Sequence, residues 1–242
     1  MELKRLNKAI SETGFCSRRA ADRLIEEGKV SINGKPAELG EKVTASDIIS
    51  VEGKVITKEV ANIYLAFNKP VGITCTTDTE IRGNIITFLN YPERIFPIGR
   101  LDKPSEGLIF MTNDGDIVNK ILRAKNNHEK EYLVRVNRRI TLDFLRKMGN
   151  GVPILDTITD KCTVERMDDF TFKIVLTQGL NRQIRRMCQY LDYEVRSLKR
   201  TRIMNISLDN IKVGKYRSFT KDELQTILDL VGDSSKTEEA SH

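Results

Sequence analysis

The sequence predicts an α+β fold in two parts. A small N-terminal module of helix, helix and hairpin precedes a larger domain on a mixed, mainly antiparallel sheet. Two observations carry this. Within residues 1–58, two short runs with helical spacing are followed by Asn33-Gly34, a tight-hairpin signal. From 62 to 232, strand-like and helix-like segments mix without a fixed repeat, and no glycine-rich nucleotide loop interrupts them. A chain of 242 residues can hold one good-sized core and a small extra module. The last stretch, 233–242, is polar and is predicted to be a disordered tail.

The elements follow in order. Residues 3–13 carry Leu6 and Ile10 at helical spacing, and Gly14 ends that helix. Ser17 is placed to cap a second helix through Ala20, Ala21, Leu24 and Ile25, which Gly28 stops. In "VSINGKPAEL", Val30 and Ile32 alternate with polar residues ahead of the turn. A hinge falls near 55–62, and residues 63–67 open the second domain as a strand. "LIFMT" at 108–112 reads as a buried strand. Residues 114–124 read as a helix with acidic groups in its first turn, where the dipole favours them. Residues 129–136 alternate as a strand, 140–149 form a helix, and 161–177 form a hairpin turning at Asp168-Asp169. Residues 181–191 put Ile184, Met187, Cys188 and Leu191 on one helical face, with Arg182, Arg185, Arg186 and Gln189 on the other. An amphipathic helix capped by Thr220 spans 220–231.

Composition narrows the chemistry. Hydrophobic residues make up 39% and charged residues 31%, as in a soluble globular protein. No apolar run is long enough to span a bilayer, and the N-terminus lacks the apolar region of a secretory signal. A cytoplasmic protein with no membrane partner is expected. Cysteines 16, 75, 162 and 188 form no CxxC pair, so no zinc site or disulfide framework is expected. The two histidines, His128 and His242, are too few for a histidine metal centre or a Ser-His-Asp triad. Any chemistry rests on carboxylates, arginines, lysines and tyrosines. No surplus apolar stripe is visible, so a monomer is expected.

The net charge of +6 permits an anionic partner. Its distribution says more. Lys4, Arg5, Lys8, Arg18, Arg19 and Arg23 form one basic cluster; Arg182, Arg185, Arg186, Arg196, Lys199, Arg200 and Arg202 form another. Taken singly, each reads as a solvated helix face.

Three stretches stand out: "GRLDKPSEGL" at 99–108, "EKEYLV" at 129–134 and "LTQGLNRQIRRM" at 176–187. Alone they read as a salt-bridged turn, a core tyrosine and an arginine-rich helix. Together, in this order, they resemble the pseudouridine synthases of the RsuA/RluA group. "NKPVGITCT" at 68–76 resembles the opening of that group's catalytic domain, and residues 5–35 resemble its ribosomal-protein-S-four-like RNA-binding domain. Asn181-Arg182 stands where the sister branch tends to have a histidine, which places the chain on the RsuA side. Ser105 departs from the threonine of many relatives but keeps the hydroxyl.

The resemblance implies a reaction that breaks the bond from ribose to the base nitrogen, turns the base and rejoins ribose to carbon 5. No net redox change occurs, so no cofactor and no metal are expected. It makes Asp102 the essential carboxylate, acting as nucleophile at sugar or base, or as a base starting elimination. It makes Arg185 the cation beside Asp102, and Tyr132 the ring that stacks on the base and helps take the carbon-5 proton. Arg100 helps displace the base or hold the RNA backbone, and Leu176 is the apolar wall beneath the base. Lys130, Arg182 and Arg186 are carried over as substrate-binding residues. The target uridine must flip out of its stack. On the N-terminal module, Arg5, Lys8, Ser17, Arg18 and Arg19 are expected to dock RNA phosphates. Large-subunit ribosomal RNA is the expected substrate, with small-subunit ribosomal RNA and transfer RNA as alternatives. Two rivals are weighed. An inactive RNA-binding protein would have lost Asp102, Tyr132 or Arg185, and all three are present. A glycosidase needs a second facing carboxylate, and Asp114 and Asp116 read as helix-start residues.

Overall fold

The structure is a computed structural model that describes residues 3–56, 60–122 and 128–232. The predicted tail at 233–242, residues 57–59 of the predicted hinge and the end of the predicted helix at 123–124 lie outside the described residues. The chain forms two compact units. One comprises the residues up to 63 together with 91–95 and 113–115; the other comprises 64–90, 96–112 and the residues from 116.

The first unit runs β1 (Lys4–Arg5), α1 (Leu6–Glu12), α2 (Arg18–Glu26), β2 (Val30–Ile32), β3 (Lys35–Pro36), β4 (Lys42–Val43), β5 (Ile49–Val51) and β6 (Lys54–Val55). The helix predicted from residue 3 starts instead at Leu6. Lys4 and Arg5 are extended and pair with Val43 and Lys42, and the Leu6 N–H donates to Glu41 O at 2.8 Å. Ser17 caps α2 as predicted, its Oγ accepting from the Ala20 N–H at 3.1 Å. Asn33 (φ 51) and Gly34 (φ 81) form the turn of the β2–β3 hairpin, both left-handed as a type I′ turn requires. That hairpin is only half of a four-stranded sheet, β3-β2-β5-β6, because β5 pairs with the other edge of β2. Leu6, Ile10, Ala21, Ile25, Val30, Val43 and Val51 fill its core.

The second unit runs β7 (Tyr64–Lys69), α3 (Ile85–Leu89), β8 (Phe96–Ile98), β9 (Glu106–Thr112), α4 (Gly115–Leu122), β10 (Lys130–Val136), α5 (Leu142–Asn150), β11 (Pro153–Ile154), β12 (Thr157–Ile158), β13 (Thr163–Arg166), β14 (Thr171–Leu176), α6 (Gln183–Tyr190), β15 (Val195–Ile203), β16 (Ile206–Ser207), β17 (Tyr216–Ser218) and α7 (Lys221–Gly232). The sheet order is β13-β14-β10-β15-β9-β7-β17, with β16 beside β15 and β8 beside β9. The β9–β15 pair is parallel and the other pairs are antiparallel. Helices α4 and α7 lay Ile117, Ile121, Ile227 and Val231 on Ala66, Leu108 and Phe110 of the sheet. A capping box starts α7: Thr220 Oγ1 accepts from the Glu223 N–H, and Glu223 accepts from the Thr220 N–H.

Gly107 makes the parallel pair possible. Its φ is +110°, and a Cβ there would lie 2.2 Å from Arg200 O in β15. Gly107→Ala is therefore expected to destabilise the protein by at least about 3 kcal/mol, through backbone clash and strain together. Urea unfolding would measure it, and a loss below about 1 kcal/mol would contradict this packing.

Candidate active site

The turn that carries Asp102 is tied down at both ends. The Leu101 N–H donates to Cys75 Sγ at 3.4 Å, and the Ser105 N–H closes back on Asp102 O at 2.9 Å. The Asp102 side chain is left 34% exposed and faces two guanidinium groups. Arg182 Nη1 lies 3.6 Å from Oδ2, and Arg185 Nε lies 4.0 Å from the same oxygen.

These two arginines differ in kind. Arg182 stands at the start of α6 in a left-handed conformation (φ 51), with its side chain 46% exposed. Arg185, one turn on, is only 15% exposed. Its Nη2 donates at 3.0 Å both to Pro104 O and to Ser105 Oγ, so the helix is clipped to the turn that presents Asp102. Its Nε is buried, has no hydrogen-bond partner among the described residues, and is the atom that faces Asp102. Burial pulls the Arg185 pKa down and Arg182 adds to that, while Asp102 opposes both. The sequence pattern put Arg185 on the open face of the helix. It instead sits beside the buried face formed by Gln183, Ile184, Met187 and Cys188, where a long side chain can reach the turn. The hydroxyl of Ser105 earns its place as an acceptor for this arginine.

Three sheet strands supply the floor. Tyr132 in β10 is buried and stands in register with Ile174 of β14 and Arg200 of β15. The Arg200 guanidinium carbon is 6.0 Å from its ring centroid. Lys130, two residues earlier on β10, pairs with Leu176 of β14. The result is a cleft of about 730 Å³ that lies wholly within the second unit.

Of the predicted site, Arg100, Asp102, Lys130, Tyr132, Leu176, Arg182 and Arg185 all line this cleft. Arg186 does not; its Nε and Nη2 donate to Asn181 O and Oδ1 at 3.0 and 3.2 Å. The N-terminal candidates are all in the first unit. There Arg5, Arg18 and Arg19 are exposed, Lys8 Nζ lies 3.7 Å from Glu12 Oε1, and the Ser17 hydroxyl is occupied as a helix cap. Sequence reasoning missed Arg200 as a residue that lines the cleft, and Lys69 as a buried cation close in sequence to Cys75. Lys69 is fully buried, and its ammonium donates to Pro70 O (2.8 Å) and Ile73 O (2.9 Å), which shapes the loop leading to Cys75. Arg200 was visible only as one charge in a basic cluster. Among the described residues no group of histidine, cysteine and carboxylate side chains could hold a metal ion.

Known proteins resemble the chain over most of its length. A family model described as RNA pseudouridylate synthase matches residues 63–190, and an S4 domain model matches residues 4–49. The dual-specificity RNA pseudouridine synthase RluF of Salmonella typhi is 58% identical over 233 residues, covering 96% of this chain and 81% of that protein. The protein of the same name from Escherichia coli K12 is 56% identical, with 96% and 80% covered. The ribosomal large subunit pseudouridine synthase B of Bacillus subtilis is 35% identical, with 93% and 96% covered. A crystal structure of a pseudouridylate synthase superposes with a TM-score of 0.69 at 28% identity, covering 93% of this chain and 99% of that one.

Proposed function

The chain belongs to the RNA pseudouridylate synthase family, and from that premise we propose that it converts a specific uridine of large-subunit ribosomal RNA to pseudouridine, with Asp102 as the essential carboxylate. The observation that carries the residue assignment is the Asp102 carboxylate held 3.6 Å and 4.0 Å from Arg182 and Arg185, in a cleft that also holds Tyr132 and Leu176.

The target uridine leaves its stack and enters the cleft, with Leu176 beneath the base and Tyr132 against it. Asp102 then attacks the sugar or the base, or removes a proton to start elimination; in each route the bond from ribose to N1 breaks. The base turns, C5 bonds to C1′, and the Tyr132 hydroxyl assists loss of the C5 proton. Arg185 keeps the carboxylate and its turn in one place, and Arg182 and Arg100 at the rim hold the RNA backbone. Arg186 contributes to the same basic surface. The reaction is redox-neutral and calls for no cofactor.

The S4 domain docks RNA separately from the chemistry, with residues 1–58 as that module and 62–232 as the catalytic domain. In this reading the enzyme acts as a monomer in the cytoplasm, and the residues that line the cleft all lie in the second unit. The ribosomal large subunit appears in the name of the Bacillus subtilis relative, and the dual-specificity name of the 56–58% identical relatives favours a second RNA target. Incubating the protein with large-subunit, small-subunit and transfer RNA, each tritiated at uridine C5, tests the assignment. Tritium release from large-subunit RNA is expected; release from one of the others alone would contradict the substrate.

The S4 domain gives an independent prediction. Arg5 and Arg19 are exposed, so the double variant Arg5→Ala, Arg19→Ala of the full chain should weaken RNA binding about three- to tenfold and lower the salt slope by about 1–2. The rate at saturating enzyme should stay unchanged. An unaltered dissociation constant in a filter-binding assay would reject the docking role.

A further inference from the structure

We propose that Lys130 and Arg200 form a cationic floor for the flipped base: their spare N–H groups receive a carbonyl oxygen of uracil and hold the negative charge that collects there when the bond to ribose is broken. This deepens the pseudouridine synthase reading and rests on it.

Both side chains have donors to give. An ammonium has three N–H groups. Lys130 Nζ uses two of them, on His128 O at 3.1 Å and Thr177 O at 3.3 Å. Arg200 is 5% exposed, and its Nε donates to Leu108 O at 2.6 Å. Its Nη2 is buried and has no partner among the described residues. A buried guanidinium donor without an acceptor is costly, and a ligand oxygen would satisfy it. Lys130 and Tyr132 lie two apart on β10 and both line the cleft, and Arg200 pairs in register with Tyr132. The two cations thus border the ring on which the base stacks.

The charges around this floor leave it positive. Asp102, from the β8–β9 turn, is already faced by Arg182 and Arg185 from the α6 side. Arg100 and Lys103 also line the cleft. Lys69, at the end of β7, spends N–H groups on Pro70 and Ile73. Cys75 is a thiol whose pKa burial raises, so it brings no charge at neutral pH. Among the described residues neither Lys130 nor Arg200 has a carboxylate ion pair. Burial, with Arg200 beside it, pulls the Lys130 pKa down to about 8. Two cations without a counter-ion make a site for an anion.

The reaction supplies that anion by every route. When C1′–N1 breaks, its electron pair stays with N1 and spreads onto O2 and O4, while N3 keeps its proton. If Asp102 instead adds to C6, the pair from the C5–C6 double bond reaches O4. In the closing steps C5 gives its pair to C1′, N1 gains a proton, and C5 loses one. The charge is transient and sits on the carbonyl oxygens, which is where Lys130 and Arg200 can stabilise it.

The test uses the full chain with its RNA substrate, single turnover and saturating enzyme. Lys130→Met is expected to slow cleavage of the N-glycosidic bond about 100-fold while the RNA dissociation constant changes less than about threefold. With 5-fluorouridine at the target, whose fluorine stabilises the base anion, the same variant should lose less than about tenfold. The pH profile supplies a second readout. Lys130 is charged below its pKa, so wild-type kcat/KM should fall as pH rises through about 8. Lys130→Arg keeps a cation and should lack that limb. A loss below about threefold, an equal loss on both substrates, or a loss in KM alone would overturn the floor. Wild-type protein that forms no pseudouridine would instead refute the proposed activity, so the two failures are distinguishable.

Discussion

Asp102→Asn is expected to lower pseudouridine formation by at least about 10⁴-fold while RNA affinity changes less than about threefold. Asparagine has the same shape, and the turn is closed through the main-chain oxygen of residue 102, so the local fold survives. What disappears is the charge facing Arg182 and Arg185 at 3.6 and 4.0 Å. An amide is neither a nucleophile at carbon nor a base of useful strength at neutral pH. RNA binding depends on phosphate contacts, and removing a negative group from a basic cleft does not weaken them. Single-turnover conversion near the wild-type rate would remove Asp102 from the chemistry.

Arg185→Gln ranks second, with an expected loss of about 10²–10³-fold in kcat and little change in KM. Arg185 spans the helix and the turn, donating to Pro104 O and Ser105 Oγ at 3.0 Å while its Nε faces Asp102. Glutamine is shorter and uncharged, so the carboxylate loses its buried cation and the turn loses its clip. The orphaned acceptors should also cost about 1–3 kcal/mol of stability. Arg182→Gln is the control. That side chain is 46% exposed, and its loss should act mainly on KM, by less than about tenfold. Equal kcat effects from both variants would contradict the division of roles between the two arginines.

Much of the fold could be read before the structure because local signals and tertiary context agree there. Ser17, Thr220 and Asn33-Gly34 each satisfy backbone geometry by themselves, so their elements follow from a few residues. The two-residue strands β1, β4 and β6 carry no period that could be seen, and β1 was absorbed into the helix after it. Strand β15 was hidden for another reason. Its buried positions include Arg200 as well as Leu198 and Ile203, and a cation in a core slot breaks the alternation that marks a strand. The parallel pairing of β9 with β15 depends on Gly107 meeting Arg200 across the sheet, which no local pattern encodes.

The candidate site divides the same way. Asp102, Tyr132 and Arg185 lie in three separated motifs whose order carries the resemblance, and the fold brings all three to one cleft. Lys69 and Arg200 escaped notice because the role of each comes from burial, with main-chain acceptors for Lys69 and an unshared donor for Arg200, which are properties of packing. Arg186 looked equivalent to Arg185 on the helix, but its guanidinium turns back to Asn181. One residue of offset separates a cation beside the carboxylate from one that braces a loop.

The most direct test of the central claim is a pseudouridine map of total RNA from cells with and without this gene, by carbodiimide labelling and primer extension. The account predicts that a stop in large-subunit ribosomal RNA disappears with the gene, returns with the wild-type chain and does not return with Asp102→Asn. A map with no stop lost in any ribosomal or transfer RNA, or one restored in full by Asp102→Asn, would contradict it.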